Sequence, residues 1–392
     1  MTSDLPALAR LQQRALLVGA VGLVAGVLGA FVNVEQFFAS WLIGFLFCLG
    51  LTLGSLGFLM LQHLSGGKWG LVSRRVFEAA ARTLPIVALL FVPILFGMPR
   101  LFEWARPDAV QASHVLQLKA PYLNVPFFIV RAVIYFAFWI VCAWLLTKWS
   151  AEQDRGETAV TPADSVRFRT VSAPGLPFLV LTITFASVDW IMSLDPEWYS
   201  TIFGLLTVTG QGLSALAFAI AVLALVAPEP TLSRWMAPGQ FHDLGKLLLA
   251  FVMLWAYLAF SQFLIIWSGN LPEEIPWYIQ RMRGGWGVVA ILLVVGHFAL
   301  PFLLLLSRDL KRHAGLLAKV AIFVILMRLV ELIWLVAPVF ARDGVPLHWM
   351  NIVIPIGLAG VWVFLFTRNL RSRSLLPQND PYFKEAFAHD AH

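Results

Sequence analysis

The amino-acid sequence predicts an all-α, polytopic transmembrane helical bundle of about ten spans. Of the 392 residues, 59% are hydrophobic and 13% are charged, and the mean hydropathy is +0.80. A soluble domain typically carries about 25% charged residues, so this chain has too little charge to cover a water-facing surface. Uncharged apolar runs also recur along the whole sequence. A single run in lipid must satisfy its own backbone hydrogen bonds, which favours helices.

The predicted spans follow one another along the chain. A bilayer core about 30 Å thick requires about 20 helical residues to cross it. The runs that meet this length are 15–32, 38–61, 80–98, 125–147, 173–194, 202–226, 247–267, 286–306, 320–339 and 349–366. The third holds Arg82 near its start. The first is too long for the apolar part of a cleaved signal peptide and has no convincing cleavage site, so we expect it to stay in the mature protein.

Lysine and arginine concentrate on one side of the predicted bundle, and this asymmetry predicts its orientation. Cytoplasmic loops of membrane proteins carry an excess of these residues, so both termini are expected in the cytoplasm. The domains are then a terminus at 1–14, a ten-helix domain at 15–367 and a tail at 368–392. Since the basic residues flank apolar runs, the net charge of +6 is a topology signal and predicts no nucleic-acid partner. The amino-terminal side has 17 basic residues, namely Arg10, Arg14, Lys68, Arg74, Arg75, Lys148, Arg155, Arg167, Arg169, Arg234, Arg308, Lys311, Arg312, Arg368, Arg371, Arg373 and Lys384, and the other side has six, namely Arg100, Arg106, Lys119, Arg281, Arg283 and Arg342.

Ionisable residues inside the predicted spans are the candidate functional groups. An ionised group at the bilayer centre costs about 2.5–3.5 kcal/mol on insertion scales, so these side chains must face the bundle interior and find partners or water. Arg328 and Glu331 lie three residues apart on one helix face and are expected to pair. Arg131 and Asp189 are a second expected pair. A polar cavity that handles protons or a headgroup, and ion pairs that only tie helices together, both remain open interpretations.

His297 is the remaining ionisable candidate, near the middle of the eighth span. Histidine titrates near neutral pH, which suits a proton carrier, although a buried histidine is also common as a hydrogen-bonded packing residue. It is the only histidine predicted at mid-membrane depth, whereas a transmembrane b-haem requires two facing ligands. The sequence has no CxxCH motif and only two cysteines, Cys48 and Cys142, both in apolar runs. We therefore expect no haem, iron–sulfur cluster or other metal in this chain.

Three stretches of the sequence carry a family resemblance. They are SVDWIMSLDPEWYSTIFG at 187–204, the run 242–278 with HDLGK, WAY, SQFLIIWSGN and LPEEIPWY, and MRLVELIW at 327–334. Together they resemble the F subunit of bacterial alternative complex III, a relative of the NrfD/PsrC-like membrane subunits. The resemblance is dense over 185–340, and the ten-span layout extends it to the whole chain.

The resemblance implies a place in a bacterial inner-membrane complex that oxidises quinol. Electrons in that complex pass through iron–sulfur and c-type haem subunits to a soluble carrier or a terminal oxidase. The expected partners are an NrfD-like C subunit, the c-type cytochrome and iron–sulfur subunits, a terminal oxidase and lipids. The F-type subunit holds no redox cofactor and contributes proton conduction or scaffolding. The candidate proton path comprises Asp189, His297, Arg328, Glu331 and Arg131, and it begins at Asp243 and Lys246.

Three alternatives stay open at this stage. Asp243 and Lys246 lie at the start of the seventh span, where they can instead cap the helix. The chain can bind quinol itself, if a partner brings an electron acceptor close. It can also be a stand-alone secondary transporter, a class that often has matching broken helices in its two halves. Gly54, Gly210, Gly212 and Pro301 are expected to interrupt spans, but they form no matching pair, which favours the complex subunit.

Overall fold

Ten helices of membrane-spanning length make up most of the structure. The computed structural model describes residues 6–156, 164–233, 235–341, 348–377 and 379–383, and their regular structure is helical. Arg234, Arg342 and Lys384, which entered the predicted charge asymmetry, lie outside these residues. The predicted all-α bundle of ten spans is confirmed in the described part of the chain. Spans 1 to 10 are Pro6–Ala30, Val34–Ser65, Lys68–Leu101, Val125–Arg155, Val166–Leu194, Phe203–Val226, Pro238–Gly269, Trp286–Leu306, Ala314–Phe340 and Met350–Arg371.

The start of span 1 and the end of span 10 lie on the same face of the bundle, because the number of spans is even. The Arg371 guanidinium at the end of span 10 donates to the Gln12 side chain at the start of span 1, over 2.7 Å. We call this the terminal face and the other the opposite face.

Span 2 forms the centre of the bundle. Its most apolar 18-residue window is 94% buried, against 28% for each of spans 1, 7 and 8. Gly54 allows span 2 to approach span 6 closely, since a Cβ atom there would lie 2.2 Å from the Gln211 carbonyl oxygen. The expectation that Gly54, Gly210 and Gly212 interrupt their spans was wrong. Spans 2 and 6 are continuous helices through these residues, because the glycines provide space between helices without breaking the backbone hydrogen bonds.

Span 1 packs mainly against span 10, through a stripe of glycines. A Cβ atom at Gly22 would lie 2.5 Å from the Gly357 Cα atom, and one at Gly360 would lie 2.6 Å from the Gly19 nitrogen. Small residues at this spacing allow membrane helices to approach closely and gain van der Waals contact. The other side of span 1 is apolar and exposed, as at Leu17 and Val21.

Span 3 begins twelve residues before its predicted start at residue 80. It consists of a helix at Lys68–Ala81 and a second at Leu84–Leu101. The first helix is buried despite its charges, because the Glu78 carboxylate accepts from Arg74 over 2.9 Å and from Arg75 over 2.7 Å. Arg74 and Arg75 are therefore buried ion-pair partners, and the expectation that they are loop charges was wrong.

Span 8 contains one turn of wide helix. Its segments are an α-helix at Trp286–Leu293, a π-helix at Val294–Ala299 and an α-helix at Leu300–Leu306. Pro301 has no N–H group, and its ring would clash with the carbonyl of His297 in a regular α-helix. The Leu300 N–H instead bonds to the Val295 carbonyl, five residues back. Such π-turns often occur at functional sites, and this one positions His297.

Candidate functional site: a buried charge cluster beside an apolar slot

Spans 7, 8 and 9 bring four polar side chains together inside the bundle. The Glu331 carboxylate accepts from Arg328 Nη1 over 2.6 Å and from Trp255 Nε1 over 2.9 Å. His297 Nε2 lies 3.6 Å from Glu331 Oε2. We call Trp255, His297, Arg328 and Glu331 the Glu331 cluster. The predicted Arg328–Glu331 pair is confirmed, and the structure adds His297 and Trp255 to it.

Gly210 of span 6 makes the position of Arg328 possible. A Cβ atom at Gly210 would lie 2.3 Å from Arg328 Nη1 and 2.5 Å from Arg328 Cζ. The absence of a side chain therefore leaves room for the guanidinium against the backbone of span 6. Arg328 is only 4% exposed and Glu331 3% exposed. Two opposite charges thus lie paired and shielded from the surroundings, as the cost of burying a charge requires.

His297 belongs to the cluster but lacks hydrogen bonds of its own among the described residues. Its side chain is fully buried, and among the described residues neither ring nitrogen has a hydrogen-bond partner. Its ring meets the edge of the Trp255 ring, with centroids 4.3 Å apart. A buried polar group without a partner is rare and points to a water, a ligand or a movement that supplies one. His297 Nε2 lies 3.6 Å from Glu331 Oε2, so a small side-chain shift would bring the two atoms within hydrogen-bond distance.

An apolar slot of about 500 Å³ lies beside the cluster. Spans 7, 8 and 9 and the short helix Ile275–Met282 form its walls. The exposed side chains of Phe260, Ile291 and Val294 line it, so the slot opens towards the membrane between spans 7 and 8. Its volume falls in the range of small-molecule sites. Its aromatic lining residues are Trp255, Phe260, Phe263, Trp277, Tyr278, Phe298 and Trp334.

Few polar groups face this slot, and they lie on different spans. Glu331 contributes its carboxylate from span 9. Gln262 of span 7 accepts from Ser200 Oγ over 2.8 Å and donates to the Tyr278 hydroxyl over 3.2 Å. Burial raises the pKa of Tyr278 to about 12, so the phenol keeps its proton at neutral pH. Since the phenol oxygen accepts from Gln262, the Tyr278 O–H is oriented to donate elsewhere.

Arg281 holds the wall of the slot in place. Its guanidinium lies 3.7 Å from the centre of the Trp277 ring and donates to the carbonyls of Trp277 and Leu335. Burial lowers the pKa of Arg281 to about 9, against the raising influence of Asp195 and Tyr278, so the group stays charged at neutral pH. Arg281 therefore fixes the helix Ile275–Met282 to span 9 at the opposite face.

The Arg131–Asp189 pair lies between spans 4 and 5, apart from the Glu331 cluster. Arg131 donates to both Asp189 oxygens, each over 2.9 Å, and Tyr135 donates to the same carboxylate over 3.0 Å. Arg131 also donates to the Tyr122 carbonyl over 2.9 Å, and its guanidinium lies 3.9 Å from the centre of the Tyr122 ring. The predicted pair is confirmed. Its completed hydrogen bonds suit a tie between two helices.

Asp243 and Lys246 lie at the surface of the terminal face, where span 7 begins. Lys246 Nζ is 3.0 Å from Asp243 Oδ1, and the two side chains are 57% and 58% exposed. Along one helix, Asp243 precedes Trp255 by twelve residues, about 18 Å. Asp243 and Lys246 thus contact each other but lie away from the Glu331 cluster. Their role as the start of a proton path stays a prediction.

Sequence reasoning missed two parts of the buried polar network. One is the group around Glu78, for which the spacing of Arg74 and Glu78, four residues apart on one helix face, was an available signal. The other is Tyr278, which lies in the LPEEIPWY stretch and was not among the predicted site residues. Its contact with Gln262 depends on how the helix Ile275–Met282 folds back over span 7, which no local pattern indicates.

No protein-family model matches the chain, and no curated protein matches it.

Proposed function

We propose that this chain is a proton-handling membrane subunit of a quinol-oxidising respiratory complex, of the F type found in bacterial alternative complex III. In this proposal the chain lies in the bacterial inner membrane with both termini in the cytoplasm. It holds no redox cofactor, whereas its partners supply iron–sulfur clusters and c-type haems. The observation that carries the proposal is the Glu331 cluster, where a carboxylate and an incompletely bonded histidine lie side by side within the membrane spans.

The geometry of the cluster supports proton transfer between His297 and Glu331. A proton moves between two groups within hydrogen-bond reach or through one water. The 3.6 Å separation of His297 Nε2 and Glu331 Oε2 is slightly longer than a hydrogen bond. A small side-chain movement or a bridging water closes it. Arg328 and Trp255 hold the carboxylate in place through this step, each by one hydrogen bond.

The connection between spans 3 and 4 suits the docking of peripheral redox subunits. It carries short helices at Glu103–Ala105, Pro107–Ala112 and His114–Lys119 on the opposite face. Asp108 and Leu118 are exposed there, so the connection offers polar and apolar contacts. A large ordered surface of this kind is what a scaffold for soluble domains requires.

Purification of the tagged protein in mild detergents tests membership of the complex. The expected result is co-purification of c-type cytochrome and iron–sulfur subunits, seen by haem staining and mass spectrometry, together with quinol oxidase activity. A lone, colourless protein under several gentle conditions would contradict the proposal and favour a stand-alone transporter.

Glu331→Gln in the intact complex tests the proton role. Quinol-driven proton movement into proteoliposomes is expected to fall at least tenfold, since the amide cannot exchange protons at neutral pH. Electron transfer measured in uncoupled vesicles should remain. Glu152→Gln, a half-exposed carboxylate at the terminal face, is the matched control. Equal proton movement in Glu331→Gln and the control would exclude the cluster.

Quinol binding by this chain is a second candidate function, favoured by the slot. The slot combines aromatic walls, a mouth towards lipid, a carboxylate acceptor at Glu331 and a hydroxyl donor at Tyr278. A quinol ring presents two oxygen groups on opposite sides and enters from the membrane. Its oxidation would additionally need an electron acceptor from a partner subunit.

Photolabelling with an azido-quinone tests this candidate. Label in the peptide that contains residues 255–263, reduced in Tyr278→Phe and Glu331→Gln, is the expected result. Tyr257→Phe is the matched control, since Tyr257 lies on the same span but faces away from the slot and is exposed. Label spread evenly over lipid-facing spans, unchanged in all three variants, would contradict a specific site.

A further inference from the structure

A basic crevice lies at the terminal face, where spans 3 and 10 meet. The crevice is separate from the slot and the Glu331 cluster, which lie among spans 7, 8 and 9. Its volume of about 10 Å³ admits one water-sized group. The residues that line it are Arg75, Glu78, Ala79, Arg82, Asn369, Leu370 and Arg373.

The cations of this crevice outnumber its carboxylate. Glu78 Oε2 lies 2.7 Å from Arg75 Nη1 and 3.6 Å from Arg373 Nη1, so the one carboxylate is shared. Arg82 donates to the Ser372 hydroxyl over 3.1 Å, and among the described residues no carboxylate lies within 4 Å of it. Three guanidinium groups against one carboxylate give the crevice lining a net charge of +2.

Neighbouring acidic residues reduce this excess without removing it. Asp154 pairs with Arg75, and Asp380 pairs with Arg74 over 2.7 Å. Counting Arg74, Arg75, Arg82 and Arg373 against Glu78, Asp154 and Asp380 leaves one positive charge.

One buried donor near the crevice also lacks a partner. Arg75 is only 2% exposed, and its Nε atom has no hydrogen-bond partner among the described residues. Burial lowers the pKa of Arg373, and Arg75 and Arg74 also lower it, while Glu78 and Asp154 act in the opposite direction. A bound anion would offset the repulsion between these arginines and would supply acceptors for their free N–H groups.

The crevice lies at the depth of lipid headgroups. Span 10 has 22 residues and a length of about 33 Å, slightly more than the hydrocarbon core. Asn369 and Leu370 lie at its last turn, so the crevice falls at the edge of that core. Basic pockets between membrane helices at this level bind anionic headgroups. The exposed apolar sides of spans 1 and 3, at Leu17 and Leu89 for example, can receive the acyl chains below.

We propose that this crevice binds the phosphate group of an anionic phospholipid. One phosphate oxygen enters between Arg82 and Arg373, while the rest of the headgroup stays at the mouth of the crevice. Free phosphate shares this chemistry, but the location at the edge of the hydrocarbon core and the adjoining apolar helix faces favour the lipid.

Native mass spectrometry of the delipidated protein with added lipids tests the proposal. Phosphatidylglycerol is expected to bind at least tenfold better than phosphatidylcholine. Arg82→Gln should weaken phosphatidylglycerol binding about fivefold, in line with the contribution of one basic residue near a membrane surface. Arg82→Lys should retain most of it, which separates loss of charge from loss of fold. Arg373→Gln is a second variant that lines the crevice and should weaken binding as well.

Arg312→Gln is the matched control, because it removes one exposed arginine from the terminal face elsewhere. It should leave phosphatidylglycerol binding unchanged. Equal weakening by Arg312→Gln and Arg82→Gln would show non-specific attraction and overturn the site. Displacement of the lipid by 10 mM inorganic phosphate, or equal binding of phosphatidylcholine, would overturn the assignment to an anionic lipid.

Discussion

At the scale of single residues, the position of Arg328 depends on a residue that forms no hydrogen bond with it. Gly210 provides the space against which the guanidinium lies. The sequence indicated the Arg328–Glu331 pair, because two opposite charges three positions apart share one helix face. It did not indicate Gly210, because that contact joins spans 6 and 9 and depends on how the two helices meet.

Gly210→Ala is expected to displace Arg328 from Glu331. The added methyl group would lie 2.3 Å from Arg328 Nη1, so either the side chain or span 6 must shift. Overpacking of this kind typically costs about 1–3 kcal/mol. Thermal unfolding in detergent should show a lower midpoint. Gly50→Ala is the matched control, because its methyl group meets only Gln211 Cγ at an ordinary 3.4 Å. Equal midpoints for the two variants would contradict this role of Gly210.

Asp189→Asn is expected to destabilise the bundle strongly, because it leaves Arg131 buried without its countercharge. Breaking a buried ion pair costs about 3–5 kcal/mol. The double variant Arg131→Met, Asp189→Leu should cost much less, since it removes both charges. Unfolding equilibria for Arg131→Met, Asp189→Leu and the double variant form a double-mutant cycle, in which the double variant should cost much less than the sum of the two single variants. Glu152→Gln, which breaks the half-exposed pair with Arg167, should cost under about 1 kcal/mol. If the losses in free energy of unfolding for the two single variants simply add in the double variant, Arg131 and Asp189 do not stabilise each other.

At the scale of helices, the ten predicted spans were correct in number and order, and their ends were less predictable. Span 8 matches its predicted range of 286–306, since it is uncharged throughout and bounded by polar turns. Span 3 begins at Lys68, because Glu78 neutralises arginines that a hydropathy pattern counts as too polar for a span. The slot was not predictable, because it depends on which faces of spans 7, 8 and 9 turn towards one another.

The π-helix of span 8 is expected to control the direction of His297. Deletion of Val295 removes the extra residue of the wide turn, and the helix should become regular. Residues on one side of the deletion then rotate by about 100° relative to the other. The His297 ring would leave Trp255, which it now meets at 4.3 Å.

Cross-linking measures this rotation without any assay of function. Cysteines at Trp255 and His297, with Cys48 and Cys142 replaced by alanine, should react with a short bismaleimide linker. Deletion of Val295 should abolish the cross-link, whereas Val295→Ala should retain it. A cross-link that survives the deletion would show that the wide turn does not set the position of residue 297.

At the scale of the whole molecule, a buried centre is surrounded by spans held by specific contacts. Span 2 lies in the centre, while spans 1, 7 and 8 are largely exposed to the surroundings. The periphery is attached in two different ways. Span 1 depends on close backbone contact with span 10. Span 7 packs against span 6 and, together with span 8, also contributes aromatic and charged residues around the slot.

Gly22→Leu is expected to detach span 1 from span 10. A Cβ atom there would already lie 2.5 Å from the Gly357 Cα atom, so a leucine cannot be accommodated. Protease sensitivity of the amino-terminal segment should rise, while the remaining spans stay folded. Ala20→Leu is the matched control on the exposed side of the same helix. Equal resistance of the amino-terminal segment to protease in Gly22→Leu and Ala20→Leu would show that the glycine stripe does not hold span 1.

The contact between spans 1 and 10 also has a consequence for biogenesis. Span 1 leaves the ribosome first, yet its main partner is the last span to be synthesised. Throughout translation its glycine stripe must therefore face lipid or an insertion factor, because no later helix up to span 9 offers a matching surface of comparable extent. Closure of the bundle must wait until span 10 has been inserted, so a chain truncated before residue 350 would be inserted yet left open to quality-control proteases.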